Sequence, residues 1–378
     1  MKRLILALLV VGTFFTSCSE NQSGSENNPT QGIWELEIVD SIQVDHLGEI
    51  STGDFRDGIG VLFDYTSNTL IKIDETGKIL TKKTFPQDGP DSFQFLNTVE
   101  IDSLGGVYIK NFMNAFYYLN SDLSVARKIE MPFPSTSFDG ATDSKAFELW
   151  KGKILMWYAG RDDKSPYENH YLRDEFLLEL FDESEGESKA MLRTPSVSKF
   201  ASDQLYDRPS ISFSIHDDHV YLTFSNEPLV HVYDLNRNGE YVESLDFKPS
   251  RFILGRELKD EFDYADYSEL VEGRIWSIYA RDDGVLIKYG EGMDEEQFTI
   301  GDYLNEENFP KLQNNIKKYY KVYTEEEGWS HDIYIPNQIG QVFEVESISE
   351  PFFALRNDEF LGEERDYITF YKLQLKKK

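Results

Sequence analysis

The chain of 378 residues contains a single cysteine, so no disulfide can form within it and the fold must be held by its core, which a chain of this length can supply. Basic residues are scarce: 38 Lys and Arg against 68 Asp and Glu give a formal charge of -30. Such a surface repels phosphate backbones and anionic headgroups, which argues against nucleic acid as a partner. Beyond the N-terminus no segment approaches eighteen uninterrupted apolar residues, the length that would read as a membrane helix. Missing too are sustained 3.6-residue periodicity, a calcium loop of the form D-x-[DN]-x-[DN]-G, and the H-E-x-x-H, G-x-S-x-G and G-x-x-x-x-G-K-[ST] signatures. No cofactor or metal is therefore expected.

What is present begins with "MKRLILALLVVGTFFTSCSE". Lys2 and Arg3 precede an apolar run from Leu4 to Phe15 that is too short to span a bilayer, as in a signal peptide. The end of the run, Phe15-Thr16-Ser17-Cys18, resembles the lipobox of bacterial lipoproteins. The resemblance implies that residues 1–17 are removed and that Cys18 becomes an acylated N-terminus holding the protein to the outer membrane of a cell envelope, facing either the periplasm or the surface. Residues 18–32 are polar and rich in Ser, Asn and Gly, a flexible tether with a reach of roughly 20 Å. Residues 33–378 form the folded body.

That body reads as all-β. Short β-branched and aromatic runs alternate with Gly, Asn, Asp and Pro turns. Six of the runs can be placed under each other: "VLFDY" at Val61, "VYIKN" at Val107, "ILMWY" at Ile154, "VYLTF" at Val220, "VLIKY" at Val285 and "FFALR" at Phe352. Each is flanked by further runs that complete a four-stranded antiparallel meander, and the spacing is that of propeller repeats. Six units predict a six-bladed β-propeller. The last unit lacks a strand and "WELEIVDSIQVD" near Trp34 has no unit of its own, so the N-terminal segment is expected to close the ring as the outer strand of the last blade.

The stretch "GPDSFQFLNTVEIDSLGGVYIKNFMNAFYYLNSDL" resembles an NHL-type propeller repeat. Lipobox, length and six blades together resemble the lipoprotein propellers of Bacteroidota, including the domain-of-unknown-function 4221 family. The resemblance implies fold and cellular address, and no activity. Within this repeat Gly89 and Pro90 read as the turn between blades one and two, with Phe93, Phe95 and Leu96 packing between the blades.

Four long insertions fall on one predicted face. They are "AGRDDKSPYENHYLRDE", "RTPSVSKFASDQLYDRPS", "KPSRFILGRELKDEFDYADYSELVEG" and "GEGMDEEQFTIGDYLNEENFPKLQNNI". Long loops on a rigid scaffold are where binding residues concentrate. Arg161, Arg173, Arg208, Arg251 and Arg256 stand out there in an acidic chain, able either to hold an anion bidentately or to pair with neighbouring Asp and Glu. Tyr158, Tyr167, His170 and Tyr171 can stack on a sugar or a peptide. His216 and His219 in "HDDH" read as hairpin-turn residues, and His231 as a packed strand residue. The expected function is binding of a protein, peptide or carbohydrate through this face, without catalysis. Two alternatives stand: an enzyme acting on extracellular polysaccharide or peptide through carboxylates near the central channel, and a structural subunit of an outer-membrane assembly.

Overall fold

The computed structural model describes residues 33–86, 93, 96–111, 115–136, 145–259, 268–305 and 307–378. Cys18, the tether, Gly89, Pro90 and Phe95 lie outside the described residues. Near-continuous burial along the first and second strands of the blades, as in Ile59–Asp64 and Leu96–Ile101, leaves each sheet apolar on both faces, and such sheets are stable only when stacked face to face. The described residues form six sheets of four or five antiparallel strands, joined in sequence order as the blades of a propeller.

The inner strands are Ile50–Arg56, Leu96–Ile101, Phe147–Trp150, Ile211–His216, Arg274–Arg281 and Ile339–Val342. Blade six is completed by Trp34–Val44, which pairs antiparallel with the C-terminal Ile368–Lys377, from Trp34 opposite Lys377 to Val44 opposite Ile368. The ring is thus closed by the strand expected from the sequence. Blade five departs from the simple pattern, because its outer strand is split into Gly328–Trp329 and Ile333–Ile335, both paired to Lys318–Thr324.

Each blade junction carries its own apolar cluster. Blades one and two meet through Phe63, Leu70, Phe93, Leu96, Val99 and Ile109. Phe93 is completely buried, its ring 4.2 Å from Phe85 and 4.5 Å from Tyr117. Phe93 thus packs between the blades as expected. Phe116 and Phe147 serve the next junction, Leu180 and Phe213 the third, Phe247 and Tyr289 the fourth, Tyr320 and Phe352 the fifth, and Ile71 and Phe370 the one that closes the circle.

Turn chemistry accounts for many of the acids. Asp57-Gly58 and Asp217-Asp218 occupy two-residue hairpins at positive φ, the I′ conformation that Asp and Gly tolerate. His216 and His219 face each other across the second of these. Asp74, Asp182 and Asp234 each accept from a backbone N–H two residues on, closing the turn before the outer strand.

Candidate functional site

In a four-stranded meander the loops between second and third strands emerge on the same face as the links to the next blade. The described parts of the long insertions occupy that face. Residues 157–175 leave blade three, 194–210 link blades three and four, 247–273 link blades four and five, and 291–317 leave blade five. They do not stand apart. Leu205–Tyr206 pairs with Glu257–Leu258 as a two-stranded ribbon between the two interblade links, and the helix Phe309–Asn315 packs Leu312 against Leu270 and Met293.

Beside the ribbon lies a cleft of about 190 Å³. Tyr167, His170, Tyr171 and Arg208 line it together with Tyr206, Asn169, Gln204, Glu168 and Asp207. His170, in a left-handed conformation with φ 61°, turns the chain into the short helix Tyr171–Asp174. The Tyr171 ring lies edge-on to Trp157 at 6.3 Å, and burial pushes its hydroxyl up to about 12. Tyr167 is 62% exposed, and the Arg208 guanidinium stacks 4.6 Å from its ring centroid and 5.7 Å from that of Trp157. The cleft thus presents a flat aromatic face edged by planar polar groups.

The other arginines are placed differently. Arg161 makes two bonds of 2.6 Å to Glu179 and a third, of 2.7 Å, to Ser188 Oγ. Arg173 bridges Asp174 and Asp203, and Arg251 meets Asp294 at 2.8 Å. Arg256 is exposed just ahead of the ribbon, outside the cleft lining. Tyr158 is buried and donates to the Phe133 carbonyl at 2.7 Å. His231 is fully buried between Ser244 and Glu227.

A second cavity, of about 280 Å³, occupies the central channel and opens toward the face of the first hairpin turns. Its walls carry a repeating device that the sequence reading passed over. Three residues before the turn, each inner strand of blades one to five places a polar side chain that reaches the next blade's backbone. Asp54 accepts from Ile101 N–H at 2.7 Å, Glu100 from Leu149 N–H at 3.1 Å and Glu148 from Ile215 N–H at 2.6 Å. Ser214 accepts from Ala280 N–H, and Tyr279 donates to the Val342 carbonyl. Glu346 completes the circle by accepting from Asp57 N–H at 3.0 Å.

Two of the cations in the lining pair with these carboxylates, and a third, Arg56, donates to the Ile101 carbonyl. Lys145 Nζ lies 3.2 Å from Asp54 and pairs with Glu344, which also pairs with Arg281. Burial alone would discharge Lys145, but Asp54 and Glu344 outweigh it and hold the ammonium charged. Burial likewise pushes Glu344 up, yet Lys145 and Arg281 bring it below the usual carboxylate range. Burial raises Asp54, and it pushes Glu148 up to about 6 and Glu100 up to about 8. The signal in the sequence was the shared repeat position in "TGDFRD", "TVEIDS" and "FELWKG". Among the described residues no group of three or more His, Cys, Asp or Glu side chains is placed to hold a metal ion.

Comparison with known proteins agrees with this architecture. No family model matches the chain, and no curated protein does. Among solved structures it is similar to a member of the DUF4221 family from Bacteroides vulgatus, at 12% identity and a TM-score of 0.69, over 92% of this chain and all of that one. A "putative exported protein" of Bacteroides fragilis is similar at 13% identity and a TM-score of 0.53, over 92% and 96% of the two chains. At these identities the likeness shows the fold, a six-bladed propeller.

Proposed function

We propose that this protein is a lipid-anchored binding module of the cell envelope whose insertion-bearing face captures a saccharide and performs no chemistry on it. The observation that carries the reading is the Tyr167–Arg208 stack at the mouth of a cleft edged by Asn169, Gln204, Glu168 and Asp207. A pyranose has an apolar C–H face that lies on an aromatic ring, and pairs of adjacent hydroxyls that match planar carboxylates, amides and guanidinium groups. The ribbon between Leu205–Tyr206 and Glu257–Leu258 supports the same reading, because it stiffens the loops before any ligand arrives. The channel carboxylates Asp54, Glu100 and Glu148 are tied to the next blade's backbone, which suits them to joining blades more than to shuttling protons.

The envelope address rests on the lipobox-like ending at Cys18, supported by export of the kind named for the Bacteroides fragilis neighbour. The topology is compatible with it. Trp34 begins its strand on the hairpin-turn face, so a tether ahead of it leaves the insertion-bearing face directed away from the membrane. Two acyl chains on Cys18, at about 0.8 kcal/mol per buried methylene, suffice for stable anchoring. Thermal-shift titration of the soluble body with a panel of oligosaccharides and peptides tests the binding claim: a saccharide raises Tm for the wild type and fails to do so for Tyr167→Ala. Stabilisation by peptides alone overturns the assignment of the ligand.

A further inference from the structure

The central channel holds a charge imbalance that the blade-joining role does not explain. Its lining contains six acidic side chains, Asp54, Glu100, Glu148, Asp282, Glu344 and Glu346, against three fixed cations, Arg56, Lys145 and Arg281, so the acids outnumber the cations even while Glu100 is protonated. Glu100 is 94% buried, being 6% exposed, and only its Oε1 is engaged, by Leu149 N–H. Glu100 Oε2 is buried with no hydrogen-bond partner among the described residues, in a side chain that borders a cavity far larger than the roughly 10–15 Å³ a single water requires. A carboxylate oxygen in that position is costly to leave bare, and the groups around it, Asp54 from blade one and Glu148 from blade three, add repulsion that Lys145 offsets only in part.

We propose that the channel binds a small organic cation, an ammonium or guanidinium group that enters from the hairpin-turn face and donates to Glu100 Oε2. An organic cation fits better than a metal ion. Asp54, Glu100 and Glu148 stand on three successive blades, each held by a backbone N–H of the next blade, and among the described residues the acids do not converge in a metal-ligand set. A diamine or guanidino compound would offer one cationic end to Glu100 and the other to the exposed Asp282 and Glu346, which line the same cavity. Binding favours the ionised form of Glu100, whose burial otherwise keeps it protonated to about pH 8, so uptake of the cation near neutrality releases a proton.

Isothermal titration of the folded protein with putrescine, agmatine and arginine, against sodium chloride at matched ionic strength, tests the site. The expected result is saturable binding of at least one of them at pH 7, with proton release seen as a dependence of the heat on buffer ionisation. Binding weakens at least tenfold in Glu100→Gln, which keeps the carbonyl that accepts from Leu149. Circular dichroism and an unchanged saccharide response confirm that this variant is folded. Heats no larger than those of sodium chloride for all three compounds overturn the proposal. So does undiminished affinity in Glu100→Gln. Tyr167→Ala leaves cation binding intact, which separates this site from the insertion-face cleft.

Discussion

The cleft and the channel are opposite solutions to placing polar groups on one propeller. The cleft is made of insertions, unique to their blades, and its working side chains are exposed: Arg208 and Tyr167 are held by stacking on each other. The channel is made of the repeat itself, and Asp54, Glu100 and Glu148 each serve two blades at once. A change in the cleft should therefore alter recognition with little effect on stability, whereas a change in the channel should reach the whole ring.

The largest effect is expected at Lys145. Lys145→Met leaves Asp54 and Glu344 without their shared cation in a buried setting, and removing one partner of such a group typically costs about 3–5 kcal/mol. Urea denaturation should show that loss at pH 7, and a loss below about 1 kcal/mol would mean that the channel is wetter than its geometry indicates. Next is the pH dependence of Glu100. Its folded value is raised to about 8, so the native state holds a proton that the unfolded chain releases near the ordinary glutamate value. Stability from this group is complete below about pH 4.5 and declines as pH rises toward 8. Glu100→Gln should flatten that decline, measured as urea midpoints between pH 5 and 8.5, while Glu148 keeps its own decline over a narrower window, ending near pH 6.

On the other side of the comparison, Tyr167→Ala and Arg208→Ala should each change stability by less than about 0.5 kcal/mol, as surface substitutions do, while weakening saccharide binding at least tenfold. Equal losses of stability in cleft and channel variants would erase the distinction. The smallest effect on the folded body is expected at Cys18. Cys18→Ala should abolish incorporation of labelled fatty acid and leave the Tm of the propeller unchanged, since the described body begins beyond it.

The fold was legible because its information is local and repeated. Runs such as "VYIKN" and "VYLTF" with turns such as Asp57-Gly58 set strand and hairpin within a few residues, and six repetitions leave little freedom of architecture. Phe93 could be placed because a large aromatic beside an interblade turn has few other places to go. The cleft was half legible: Tyr167, His170, Tyr171 and Arg208 do come together, but the pairing of Leu205–Tyr206 with Glu257–Leu258 bridges about fifty residues with only two pairs, too short to leave a periodic trace. The channel left only a repeat-position trace, the acid shared by "TGDFRD", "TVEIDS" and "FELWKG". Glu100 finds Leu149 only once two blades are stacked, and nothing local separates it from the other 67 acids of the chain.

The strand that closes the ring also has a mechanical meaning. Trp34–Val44 runs away from the hairpin-turn face beside Ile368–Lys377, so a pull on the chain ahead of Trp34 acts along the strand axis. The ladder from Trp34 opposite Lys377 to Val44 opposite Ile368 then shares the load as shear, with its bonds strained together instead of parting one at a time from an end. A pull on that strand is therefore resisted by the whole ladder at once.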